Sequence, residues 1–113
     1  MLAKVNRVVT PDDFRAIVRR GRRSTSPVAV YYRLERTPED PARFGFIVSR
    51  AVGGAVQRNL VRRRMRAVGR QLIDDGATGA DVVVRALPGS AQHGWASLSA
   101  DMHAALDASL TTR

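Results

Sequence analysis

Between Asp40 and Asp74 the chain carries eight arginines and no acidic residue. A stretch so charged has few ways to fold, because only a narrow line of it can leave water. Residues 55–73 contain such a line. At about 100° per residue, Val61, Met65, Val68 and Leu72 fall within one arc. Arg58, Arg62, Arg66 and Arg70 form an i, i+4 row beside it, Asn59 and Arg63 extend the row, and Arg64 alone lies away from it. The spacing predicts a helix with one dry face against a sheet and one continuous cationic stripe. Each like-charged pair along the row costs about 0.2–0.5 kcal/mol in an isolated helix. A solvated face is the plainer reading of a basic helix, but an unbroken, acid-free stripe points to a polyanion that neutralises it.

Two neighbouring features agree with this. Gly53-Gly54 either simply caps the helix or lets its backbone and free N–H groups approach a phosphate. The Asn59 amide both donates and accepts, so it can read a base edge or ribose hydroxyl, or hold a metal-bound water.

The rest of the chain sets limits on the partner. Its 113 residues, 44% hydrophobic, suit one domain over 1–113 with a modest core. Cysteine is absent, which excludes disulfides and thiolate metal sites. No apolar run is long enough for a membrane span, and the first residues lack a signal-peptide core, so a cytoplasmic location is expected. Of the 19 basic residues, 18 are arginine. A planar guanidinium grips phosphate in a two-pronged way and stacks on bases. Residues 1–36 are net +6, whereas residues 74–113 are net −3, so only part of the molecule is built to meet a polyanion.

Thr10-Pro11-Asp12-Asp13 reads as a helix start, Phe14, Ile17 and Val18 as its apolar face, and Gly21 as its stop. Residues 22–26 are extended, 28–34 and 43–49 are strands, and 37–41 form a turn. In the second of these strands Phe44, Phe46 and Val48 share one face, and Gly45, Ile47 and Ser49 the other. Asp74 and Asp75 sit at the unfavourable end of the helix dipole and are expected to be exposed or paired with arginine. Residues 81–87 form a buried strand. Trp95, Leu98, Met102, Leu106 and Leu110 mark a last amphipathic helix on the sheet. The order is α-β-β-β-α-β-α, an α+β sandwich with a small four-stranded sheet.

The acids are scattered, and His93 and His103 lie in the acidic C-terminal part. No catalytic residue and no metal ligand set is expected within the chain. No second short helix precedes the basic helix across a tight turn, which disfavours a helix-turn-helix DNA reader. Charge and fold class alone also suit a ribosomal-type RNA-binding protein without a catalytic RNA partner.

One segment is more specific. Arg43-Phe44-Gly45-Phe46-Ile47-Val48-Ser49-Arg50, followed by Gly53-Gly54-Ala55-Val56-Gln57-Arg58-Asn59 and the basic helix through Arg63 and Arg66, resembles the signature of the protein subunit of bacterial ribonuclease P. Asn6-Arg7, Asp13-Phe14, Gly21 and Tyr32 fall in order with it. The resemblance implies a sandwich like the second domain of ribosomal protein S5, with a left-handed β-α-β crossover that departs from the usual hand. It implies a ribonucleoprotein that removes the 5′ leader from precursor tRNA, with the chemistry and most of the Mg2+ held by the catalytic RNA subunit. Arg50, Gly53, Arg58, Asn59, Arg62, Arg63, Arg66 and Arg70 would then meet that RNA. Phe14, Val18, Tyr32, Ile47 and Ser49 would line a leader cleft between the first helix and the sheet. No membrane and no obligate protein partner are implied. Ala51, Gly54 and Val18 depart from the family's usual lysine, lysine or asparagine, and aromatic.

Overall fold

A computed structural model describes residues 2–110, and of Trp95 and 106–110 the backbone only. The expected core roles of the Trp95, Leu106 and Leu110 side chains therefore lie outside the described residues. The elements run α1 (Pro11–Arg20), β1 (Arg22–Thr25), β2 (Ala29–Glu35), β3 (Arg43–Ile47), α2 (Ala55–Asp74), β4 (Ala80–Ala86) and α3 (Trp95–Leu110), the order read from the sequence. The sheet order is β1-β2-β4-β3. β2 is antiparallel to β1 and β4, whereas β3 and β4 are parallel, with α2 as the crossover between them.

Helix α1 starts where Thr10 Oγ1 accepts the Asp13 N–H at 3.1 Å, with Pro11 at the first helical position. It ends at Gly21 for a reason other than a left-handed cap. Gly21 is extended, at φ −73° and ψ 156°. A Cβ there would lie 2.5 Å from the Ile17 carbonyl oxygen and 3.1 Å from the Arg33 backbone, so glycine is required by the close approach of α1 to β2. β3 stops two residues before the expected Ser49. Instead, the Ser49 hydroxyl accepts the Ala51 N–H at 3.3 Å and opens a 3-10 turn, Arg50–Val52.

Alternation along the strands builds a core on each face of the sheet. On one face, Ala29, Tyr31, Phe44, Val82 and Val84 pack with the α2 seam of Val61, Met65, Val68 and Leu72 and with Leu98 and Met102 of α3. On the other, Val30, Tyr32 and Val83 pack with Ile17 of α1 and with Val8. The segment before α1 covers part of the β3 edge. The Val8 N–H donates to the Phe44 carbonyl at 3.0 Å, and the buried Asn6 amide donates to the Ala42 carbonyl at 2.9 Å.

Two polar clasps lock these layers. Buried Asp81 accepts from Arg43 at 2.9 and 2.7 Å, which pins β3 to β4 at their shared start. This hydrogen-bonded carboxylate raises the Arg43 pKa above its ordinary value. On the opposite side, Asp101 of α3 accepts from the Tyr31 hydroxyl and, at 2.8 Å, from Ser26. Burial, then the hydrogen bond to Asp101, pushes the Tyr31 phenol well above its ordinary pKa of 10.0.

A raised phenol pKa means that the folded chain holds its proton where the unfolded chain has released it. This stability is present below about pH 10, the unfolded value, and is lost as the pH rises toward the folded one. The urea midpoint is expected to fall above about pH 10. Tyr31→Phe should start less stable, since it lacks the hydrogen bond, and show a smaller alkaline fall. A fall of equal size in that variant would assign the titration to another group.

Candidate nucleic-acid interface

The docked seam of α2 sets where its arginines point. Asn59, Arg62, Arg63 and Arg66, with Ala67, line an open concavity of about 720 Å3. Within it, Arg62 is half-buried and donates to Asn59 Oδ1 at 3.1 Å and to the Val48 carbonyl at 3.3 Å. These bonds fix both side chains and leave the Asn59 amide nitrogen without a partner among the described residues. Arg58 is also half-buried, and its Nε has no hydrogen-bond partner among the described residues. Arg63 and Arg66 are exposed.

The row is not acid-free along its whole length. Arg70 pairs with Asp74 one turn later at 3.2 Å, so its cationic charge is offset within the helix. Asp74 thus meets the expectation of an exposed, arginine-paired acid. Arg64, off the row, donates to the His93 carbonyl at 2.7 Å and ties α2 to the segment before α3. At the other end of α2 no side chain caps the helix, and its first turn holds no acid. Arg50 is exposed in the preceding turn. Gly53 joins that turn to the helix at φ 153°, a conformation that side-chain-bearing residues rarely adopt.

A second surface lies across the sheet. Phe14, Arg15, Val18 and Arg19 of α1, Ile47 of β3 and Arg85 of β4 line a shallow groove of about 350 Å3. The Phe14 ring rests on Gly45, where a Cβ would come within 2.6 Å of it. Phe14, Val18 and Ile47, which the resemblance assigns to a leader cleft, all line this groove. Tyr32 is placed beneath the groove floor rather than on it. It is only 7% exposed, and the Arg85 guanidinium carbon lies 5.8 Å over its ring. Ser49 is exposed but is not among the groove's lining residues, and its hydroxyl caps the 3-10 turn.

Arg15, Arg19 and Arg85 were missed by sequence reasoning. The signal was present. Arg15 and Arg19 are i, i+4 partners flanking Phe14 and Val18, and Arg85 interrupts an apolar run in a strand. The two surfaces meet over the β3 edge. There a small cavity of about 120 Å3 is lined by Phe14 from the groove, by Arg62 and Arg66 from the concavity, and by Arg7. Among the described residues no group of three or more His, Cys, Asp or Glu is placed to hold a metal ion, and no helix is long and apolar enough to cross a membrane.

Fold and surfaces define the class: a small, basic α+β protein that presents two arginine-lined surfaces, the α2 concavity and the α1 groove. The family model described as Ribonuclease P matches residues 2–109, and the chain belongs to the ribonuclease P protein family. It is 46% identical over 112 residues to the ribonuclease P protein component of Clavibacter michiganensis, covering 99% of both chains. The fold is that of the Staphylococcus aureus ribonuclease P protein, at a TM-score of 0.83 and 22% identity over 97% of this chain and 100% of that one. The Thermotoga maritima ribonuclease P protein superposes at 0.79 with 22% identity, over 90% of this chain and 96% of that one. These matches do not favour a ribosomal-type protein without a catalytic RNA.

The geometry separates the arginines of the cationic row from Arg64, which lies off the row and is held by the His93 carbonyl. Arg58→Ala, Arg62→Ala and Arg66→Ala together should flatten the salt dependence of RNA affinity by about 0.7–0.9 log units per log unit of salt for each phosphate no longer neutralised. Arg64→Ala should leave that slope unchanged and cost about 1 kcal/mol of folding stability instead. Filter binding across a salt series, paired with urea unfolding, distinguishes the two. Equal slopes for the triple variant and the parent would place the binding face elsewhere.

Proposed function

We propose that the protein acts as the protein subunit of ribonuclease P, in which a catalytic RNA removes the 5′ leader of precursor tRNA. The observation that carries this reading is the family match from residue 2 to 109, which includes both basic surfaces. In this reading Arg58, Asn59, Arg62, Arg63 and Arg66, with Arg50 and the Gly53 turn, dock on the catalytic RNA. Arg70 contributes less, because Asp74 already offsets its charge. The α1 groove, with Phe14, Val18 and Ile47 as floor, takes the single-stranded leader.

The work of the chain is positioning and charge neutralisation. Two RNA strands brought together repel, and a row of guanidiniums lowers that repulsion with fixed, pre-oriented donors. Phosphodiester hydrolysis is assigned to the RNA subunit, together with the Mg2+ that polarises the reacting phosphate. In this reading the ion stays with the RNA subunit, and the protein acts on it only through the RNA that it positions. Site of action and cytoplasmic location follow from the same reading.

Reconstitution tests it. With a bacterial ribonuclease P RNA at low Mg2+, adding the protein should raise precursor-tRNA cleavage at least tenfold, about 1.4 kcal/mol of added substrate or metal affinity. The protein alone should cleave nothing. Unchanged cleavage on addition, or metal-dependent cleavage without the RNA, would each overturn the assignment.

A further inference from the structure

Strand β4 is an inner strand, between β2 and β3, and along Ala80–Ala86 every residue is buried except Arg85. A cation at that position faces the α1 groove, where valine would continue the apolar pattern of Val82, Val83 and Val84. Among the described residues Arg85 has no acidic partner, and the contact it does make is with the Tyr32 ring. The guanidinium thus stands over the aromatic ring, its carbon 5.8 Å from the ring centroid, on the side that faces the groove. Arg15 and Arg19 stand along the α1 side of the same groove. Asp12 engages Arg15, whereas Arg19 has no acidic partner among the described residues.

We propose that Arg85 is the nucleotide platform of this groove: its inner face lies on Tyr32, its outer face stacks on one base of a single-stranded RNA segment, and its edge N–H groups reach the adjoining phosphate. The inference rests on the reading of the groove as the leader site and adds the residue that grips the leader there. The chemistry fits the placement. A guanidinium is planar and weakly hydrated, so it stacks on a ring on one side and a base on the other while keeping its charge for phosphate. Lysine has the charge without the plane. Tyrosine beneath it acts as a positioning residue, since a ring held in the core orients the guanidinium above it.

The test uses reconstituted holoenzyme and two substrates, precursor tRNA with a leader of several nucleotides and one with a single-nucleotide leader. The readout is the ratio of their affinities. Arg85→Ala should lower the long-leader preference about tenfold and leave single-nucleotide-leader binding unchanged. Arg85→Lys should recover the salt dependence of leader binding but not the preference itself. Replacing successive leader nucleotides by abasic ones should abolish the effect of Arg85→Ala at one position. Phe14→Ala serves as the control on the groove. If Phe14→Ala lowers the preference while Arg85→Ala does not, the platform role is wrong and the groove reading stands. If neither does, the groove is not the leader site and both fail. Full rescue by Arg85→Lys would also sink the stacking role, leaving a point charge.

Discussion

The dry seam of α2 governs how this molecule can use its charge. Val61, Met65, Val68 and Leu72 are all but fully buried against Phe44, Val82 and Val84. Burying four such side chains contributes roughly 6–12 kcal/mol as an upper bound. The like-charge pairs along the neighbouring arginine row oppose this by about 1 kcal/mol. The seam therefore wins by a wide margin. Once it is seated, the helix cannot roll, and Arg58, Arg62, Arg63 and Arg66 are held at fixed azimuths whether or not an anion is present.

That rigidity gives the basic surface its use. Freely rotating arginines would lose rotamer entropy on meeting RNA. Here Arg62 is already tied to Asn59 and the Val48 carbonyl, and Arg58 is half sunk into the surface with an unpaired Nε. The helix also sorts its own charges. Asp74 neutralises Arg70, and the His93 carbonyl occupies Arg64, so the cations left for a partner cluster toward the helix start and the β3 edge.

The sheet connects this surface to the groove. β3 is an edge strand, covered at its start by the segment carrying Arg7, and its two faces feed the two surfaces. Phe46 lies toward α2, whereas Gly45 and Ile47 lie toward α1. A partner bound along α2 and a strand bound in the groove are thereby separated by a single strand. Gly45 matters to this arrangement because its missing side chain is the space in which the Phe14 ring sits.

The sequence alone determined the order of elements, the seam and the arginine row, because helical and strand periodicities are local and their residues lie close together in the chain. It also determined the family, through the run from Arg43 to Arg66. It misjudged the end of β3 and the neutralisation of Arg70, although Asp74 was marked as an acid seeking an arginine. Only the tertiary structure decided which side chains form the groove. Ile47 and Arg85 are brought beside Phe14 and Arg19 by a parallel pairing across a long crossover, and no local pattern records such a pairing. The same packing put Tyr32 under Arg85 rather than at the surface. Burial is a property of what lies above a residue, and for Tyr32 that neighbour is more than fifty positions away in the chain.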